Sequence, residues 1–159
     1  MNFNDTSSTA VFNGHHCEQI VENTLKAAGY SFEKQVKYTK FVTNKQGRID
    51  FVVYLDTSTV AIECKGQGSG YGTIFEKVET WPLAVHYAKQ RGTTEFDYYV
   101  CVVVPSNSAE SDWDKNVQLA IQSAKEAANY VSPDKSILVT TFSGFTETLK
   151  GIKNGHAKH

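Results

Sequence analysis

The sequence lacks the features that mark several large classes of protein. Its three cysteines, Cys17, Cys64 and Cys101, are an odd number without metal-ligand spacing, so neither a disulfide scaffold nor a structural zinc site is expected. No apolar run approaches the length of a membrane span. The polar residues 1–10 have neither the basic nor the apolar part of a signal peptide. We therefore expect an intracellular protein, cytoplasmic or nucleoid-associated, that does not enter a membrane.

An excess of charge of one sign is also missing. The 16 Lys and Arg residues nearly balance the 17 Asp and Glu residues, and the net charge is −1. A protein that bound nucleic acid over much of its surface would be more basic, so only a locally basic surface could serve that purpose. The 159 residues, 40% of them hydrophobic, are sufficient for one core.

Hydrophobic periodicity predicts one α/β domain over residues 14–153, between a flexible N-terminus, 1–13, and a tail, 154–159. The predicted order is helix, three strands, helix, strand, helix, strand, helix, which indicates a mixed central β-sheet flanked by α-helices. The predicted bounds are, in that order, 15–28, 33–43, 48–55, 59–65, 73–91, 96–104, 112–131, 136–142 and 145–152.

Glycine, proline and serine indicate where the predicted helices begin and end. Gly29 suits the C-terminal cap of the first helix. The second helix is expected to bend or restart near Trp81-Pro82, because proline removes a backbone donor. Ser111 is the expected N-cap of the third helix.

The residues that carry chemistry gather in the hairpin of the second and third predicted strands. A two-residue turn after Leu55 places Asp50 opposite Glu63. A four-residue turn places Asp50 opposite Lys65, with Glu63 as its diagonal neighbour. In both registers Asp50, Glu63 and Lys65 share one face, because side chains alternate along a strand.

Stability alone does not explain this arrangement, because directly opposed carboxylates repel. The two acids, with the backbone carbonyl of Cys64, form an oxygen site suited to Mg²⁺ or Mn²⁺. Lys65 adds a cation that can orient a water or stabilise charge developing on a phosphate. The alternative is an ordinary ion pair on an exposed sheet face.

These residues resemble the PD-(D/E)XK nuclease superfamily, in which an Asp at a strand end is followed by Glu-x-Lys on the next strand. Asp50 matches the first acid, and residues 63–65 match Glu-x-Lys. The segment from Gly14 to Gly29 looks like the family's leading helix and places Glu18 at the position of its acid. Ile49 stands where the family name has Pro, which is not a ligand.

The resemblance extends from Gly14 to Val104 and implies a restriction-endonuclease-like fold. It also implies Mg²⁺-dependent hydrolysis of DNA phosphodiester bonds, with Mn²⁺ able to substitute. Asp50 and Glu63 would bind the metal, and Lys65 would help to position and activate the water. Glu18 would support the metal shell. Because two copies of one site are needed to cut two strands, we expect a homodimer or a higher homo-oligomer.

Several other polar side chains are candidates for contact with DNA. Gln67 and Lys77 could touch the scissile phosphate or hold the attacking water. Lys45 and Arg48 belong to a basic turn beside Asp50 that could hold a DNA phosphate. Each also fits an ordinary polar turn, loop or helix surface. Further members of this basic surface could be Lys34, Lys37 and Lys40.

The function expected first is that of a site-specific endonuclease of the restriction or homing type. The second is a structure-specific nuclease, such as a Holliday-junction resolvase or repair enzyme, which would usually be more basic because it binds mostly backbone. A non-catalytic DNA-binding module on the same fold is the alternative from another class, and the intact Asp, Glu and Lys argue against it. Glu22, four residues after Glu18, is expected to remain in solvent.

Overall fold

The computed structural model describes residues 6–39, 46–70, 74–91 and 96–155. The helices are α1 (Thr6–Ala27), α2 (Trp81–Gln90), α3 (Lys115–Val131) and α4 (Phe142–Lys153). The strands are β1 (Ser31–Thr39), β2 (Gln46–Tyr54), β3 (Thr59–Gln67), β4 (Tyr98–Pro105) and β5 (Ile137–Thr141). Two short turns of helix complete the description, a π-helical turn at Ile74–Val78 and a 3₁₀ turn at Glu110–Asp112.

The five strands form one mixed sheet in the order β1-β2-β3-β4-β5. The first three strands are antiparallel, whereas β3, β4 and β5 run parallel. Parallel neighbours need a crossover connection, which α2 provides between β3 and β4 and α3 provides between β4 and β5. The predicted mixed sheet flanked by helices is confirmed.

Helices cover both faces of the sheet. On one face, α1 and α4 pack over a core that includes Val21, Leu25, Phe51, Val100, Phe145 and Leu149. On the other face, α3 and the π-helical turn pack over a second core that includes Ile74, Cys101, Val103, Val117 and Ile121. Alternate residues of β4 belong to the two cores, so this strand is buried on both sides, which explains its almost continuous apolar run.

The first helix begins earlier than its sequence indicated. It begins at Thr6, nine residues before the predicted start at His15, so the segment 6–13 is helical and not loose. Gly14 lies inside this helix. A glycine there lowers helix stability by about 1 kcal/mol relative to alanine but does not end the helix. The predicted cap at Gly29 is confirmed by its φ of 78° and by the Tyr30 amide, which donates to the Leu25 carbonyl at 3.1 Å.

The start of α3 also differs from the prediction. Ser111 does not cap it, because the 3₁₀ turn ends at Asp112 and Trp113 then takes an extended conformation that buries its indole. The N-cap is Asp114, whose Oδ1 accepts a hydrogen bond from the Val117 amide at 2.9 Å. The predicted restart at Trp81-Pro82 is confirmed, since α2 begins at Trp81 after the π-helical turn has ended at Val78.

Some predicted features lie outside the described residues. They are the end of the first predicted strand and the basic turn after it, 40–45, which includes Lys40 and Lys45, and the last part of the tail, 156–159. Among the described helices, none combines the length and the apolar character that crossing a membrane requires.

Candidate active site

The hairpin of β2 and β3 brings the predicted acids to its open end. Its register runs from Tyr54 opposite Thr59 to Phe51 opposite Ile62, and the Leu55 amide donates to the Ser58 carbonyl at 2.8 Å. This is the register of the two-residue turn. One step further along the same register are Asp50 and Glu63.

Asp50 is held against the backbone of β3. Its Oδ2 accepts a hydrogen bond from the amide of Cys64 at 2.8 Å. Since Cys64 separates Glu63 from Lys65 in the chain, the Asp50 carboxylate lies beside the segment that carries both. The charges of Asp50 and Glu63 both act on Lys65, so the side chain on β2 and the two side chains on β3 lie near one another.

Glu63 and Lys65 form an ion pair, with Nζ and Oε1 3.0 Å apart and side chains that are 29% and 24% exposed. Burial lowers the pKa of Lys65, but the charge and hydrogen bond of Glu63, helped by Asp50, raise it above its ordinary value overall. The Lys65 amine is therefore an ammonium at neutral pH. It can donate hydrogen bonds and offer positive charge, and it does not act as a neutral base.

The regular pattern of β2 is interrupted at Asp50. Ile49 packs with Val52 and Ala61, although strict alternation would place Ile49 with Phe51. On the neighbouring strand, Gln35 has a φ of 53°, an uncommon value for a residue other than glycine. Lys34 pairs with Phe51, and Val36 pairs with Ile49. Gln35 and Asp50 lie between these two pairs, on β1 and β2 respectively.

This irregular step meets Glu18 on α1. Gln35 donates a hydrogen bond from Nε2 to Glu18 Oε1 at 3.1 Å. Glu18 also hydrogen-bonds to Asp50 and interacts with the charge of Glu63. The structure thus brings together Asp50, Glu63, Lys65 and Glu18. Gln35 has no signal in the sequence that would have identified it, because its backbone conformation is unusual for glutamine.

Burial and the neighbouring acidic side chains raise the pKa values of Glu18 and Cys64. Burial, the hydrogen bond to Asp50 and the negative charge of Asp50 raise the pKa of Glu18 to about 7. Burial together with Asp50 and Glu63 raises the pKa of the Cys64 thiol well above its ordinary value. Cys64 therefore stays protonated and is not a nucleophile.

The donor chemistry of this cluster fits Mg²⁺. Within the described ranges, no group of three or more His, Cys, Asp or Glu side chains is arranged so that it could hold a metal ion by itself. Mg²⁺ does not need one, since it is usually held by one or two carboxylates together with waters and substrate phosphates. Asp50 and Glu63 offer two carboxylates, and because burial and Asp50 raise the pKa of Glu18, a cation bound there would favour the charged form of Glu18.

The pKa of Glu18 predicts how stability depends on pH without a divalent ion. Because the folded-state pKa of about 7 exceeds the ordinary 4.5, the folded protein keeps a proton that the unfolded chain releases, and stability falls as pH rises between these values. We expect Glu18→Gln to be more stable than wild type by about 1 kcal/mol at pH 8, after allowing for solvent screening, and nearly equal to it at pH 4.5. Urea denaturation in EDTA at both pH values measures this difference. An identical difference at both values would contradict the assignment.

A cavity of about 430 Å³ opens beside Asp50 on the side of α1. The residues that line it are Glu18, Gln19, Glu22, Lys34, Gln35, Arg48, Asp50 and Phe51. The expectation that Glu22 stays in solvent was wrong, since this residue is only 8% exposed and its Oε1 lies 2.9 Å from the Lys34 Nζ and 3.4 Å from the Lys26 Nζ. The ion pair with Lys34, which belongs to a different element, makes this burial tolerable.

The side chains predicted to contact DNA occupy different environments. Arg48 is exposed at the mouth of the cavity and Lys77 is exposed on the π-helical turn. Gln67 is 3% exposed, and its Nε2 donates to the carbonyls of Gly68 and Gly70. Gln67 therefore holds the loop that follows β3.

The mixed sheet, flanked by helices, is the α/β fold of restriction-endonuclease-like proteins. A family model described as the PD-(D/E)XK nuclease superfamily domain matches residues 9–88, 80 of the 159 residues. The chain belongs to the PD-(D/E)XK nuclease superfamily.

Similarity to other known proteins is low. A crystal structure of the protein of unknown function AF1548 aligns with 79% of this chain at 14% identity and a TM-score of 0.44. This chain spans 56% of that protein's chain. No curated protein has a significantly similar sequence.

Proposed function

We propose that this nuclease is a Mg²⁺-dependent endodeoxyribonuclease that cuts DNA at specific sites. The observation that carries the proposal is the contact of Asp50 with the Cys64 amide, which sets one carboxylate beside the Glu63–Lys65 ion pair. Superfamily membership supplies the reaction class, and this cluster supplies the groups to perform it.

Asp50 and Glu63 would hold the metal, together with the backbone carbonyl of Cys64, and Glu18 would support its shell. The ion, when bound, would offset the charge of the phosphate and make water a better nucleophile, and Mn²⁺ would substitute for it. The ammonium of Lys65 would orient the attacking water and stabilise the negative charge that develops on the phosphate.

Positively charged side chains near the site would hold the DNA backbone. Arg48 borders the cavity beside Asp50, and Lys77 is exposed on the turn after the loop that follows β3. Lys45 would add to this surface. Gln67 would act through the loop that it holds, since its side chain is buried. We further propose that two copies of the chain assemble, so that two sites face the two strands.

The net charge of −1 favours site-specific cleavage over recognition of a branched DNA structure. A structure-specific nuclease binds mainly phosphates and usually needs a more basic surface. A supercoiled plasmid and a synthetic four-way junction, incubated with Mg²⁺, Mn²⁺ or EDTA, separate these roles. Discrete plasmid fragments support the proposal, whereas cleavage of the junction alone supports a resolvase. An inert protein that still binds DNA would be a non-catalytic module.

Lys65→Met tests the role given to the ammonium. Because methionine keeps most of the aliphatic side chain but removes the charge, we expect the cleavage rate to fall by about 10²-fold with little change in folding. The matched control is Lys153→Met, which removes an exposed ammonium from the end of α4 and should leave the rate unchanged. Equal rates for the two variants would overturn this role for Lys65.

A further inference from the structure

Gln35 combines two features that packing does not explain. Its φ of 53° lies in the left-handed region, in the middle of a strand that is otherwise extended. Its side chain is exposed, and exposed hydrogen bonds contribute little to stability. Residues held in unfavourable backbone conformations of this kind cluster at active sites and at sites that clamp a ligand.

The position of Gln35 shows what this conformation achieves. Gln35 occupies the step of β1 between the residues that pair with Phe51 and with Ile49, next to the point where β2 carries Asp50. From there its amide donates to Glu18 Oε1 at 3.1 Å, and both residues line the cavity beside Asp50. The Gln35 amide therefore connects the sheet with α1, the helix that carries Glu18.

We propose that Gln35 is a positioning residue that orients the Glu18 carboxyl group toward the metal held by Asp50 and Glu63, an inference that rests on the proposed function. One oxygen of Glu18 receives the Gln35 amide, which limits rotation of the carboxyl group and leaves the other oxygen to face the cluster. Gln35 does not touch the reacting atoms. The unusual backbone conformation of Gln35 directs its side chain toward Glu18 and does not serve to stabilise the fold.

Glycine is the informative substitution, because it adopts positive φ readily and so removes the side chain with its amide without straining the backbone. We expect Gln35→Gly to leave the urea denaturation midpoint unchanged or raised while Mn²⁺ binding weakens roughly 10-fold, as is typical when a group that orients a metal ligand is lost. Isothermal titration of the protein with MnCl₂ alone measures this affinity without any cleavage. The matched control is Lys135→Gly, which replaces the other described non-glycine residue with positive φ, at 59°, in the loop before β5.

A double-mutant cycle shows whether Gln35 acts through Glu18. In a Glu18→Gln background, Gln35→Gly should weaken Mn²⁺ binding by less than about twofold, because the group to be oriented has changed. The inference is overturned if Gln35→Gly binds Mn²⁺ as tightly as wild type, or if it weakens binding equally in both backgrounds. A wild-type protein that takes up no Mn²⁺ overturns the proposed function itself, and the inference with it.

Discussion

Asp50→Asn is expected to reduce the rate of DNA cleavage by about 10³-fold, at the upper end of what the loss of one electrostatic group costs. The Asn carbonyl oxygen can still accept the hydrogen bond from the Cys64 amide, so the end of the hairpin keeps its shape. What disappears is the negative charge that would hold the metal next to Glu63. Cleavage rates at saturating Mg²⁺ and Mn²⁺ affinity by titration should therefore both fall.

Asp97→Asn is the matched control for this prediction. Asp97 also accepts a hydrogen bond from an amide of β3, that of Thr59, at 2.9 Å, but at the opposite end of the strand. The same chemical change there should leave both cleavage and Mn²⁺ binding intact. If Asp50→Asn cleaves DNA as fast as Asp97→Asn, the carboxylate of Asp50 is not part of the active site.

Leu149→Ala is expected to lower the free energy of unfolding by about 2–5 kcal/mol. Leu149 is 1% exposed and belongs to the core that α4 and α1 build on one face of the sheet. A loss of this size is a large share of the 5–15 kcal/mol that stabilises a typical domain. Urea denaturation should show a lower midpoint with an unchanged slope.

Leu119→Ala provides the comparison, because Leu119 is also helical but is 54% exposed on α3. Because the Leu119 side chain is exposed, shortening it to alanine should change the free energy of unfolding by less than about 0.5 kcal/mol. Comparable losses for the two variants would show that α4 does not pack on the sheet as described.

Local sequence rules predicted the parts of the structure that depend on neighbouring residues. The spacing of Asp50 and Glu63 allowed two hairpin registers, and the observed one belongs to the two-residue turn, because residues on a hairpin pair at fixed separations. Gly29 predicted the end of α1 for a similarly local reason, since only a residue tolerant of positive φ closes the helix in this way.

The missed features depend on contacts between distant parts of the chain. Glu22 is buried because Lys34, on β1, pairs with it, and the helical pattern of α1 contains no information about that partner. The unusual backbone of Gln35 and the interrupted alternation at Ile49 were not predictable from residue type, because neither residue type prefers these conformations. By contrast, the family resemblance placed Glu18 near Asp50, and the two side chains do hydrogen-bond to each other.

Glu18 follows Cys17 on α1, so the packing of the core at Cys17 affects the position of the Glu18 carboxyl group. Cys17 is buried under the helix, and each residue along a helix turns the side-chain direction by about 100°. Because Cys17 is 1% exposed and packed in the core, a larger residue at this position would have to displace α1, and Glu18 would move with the helix. The fit of this small buried side chain between α1 and the sheet therefore also fixes where the Glu18 carboxyl group lies.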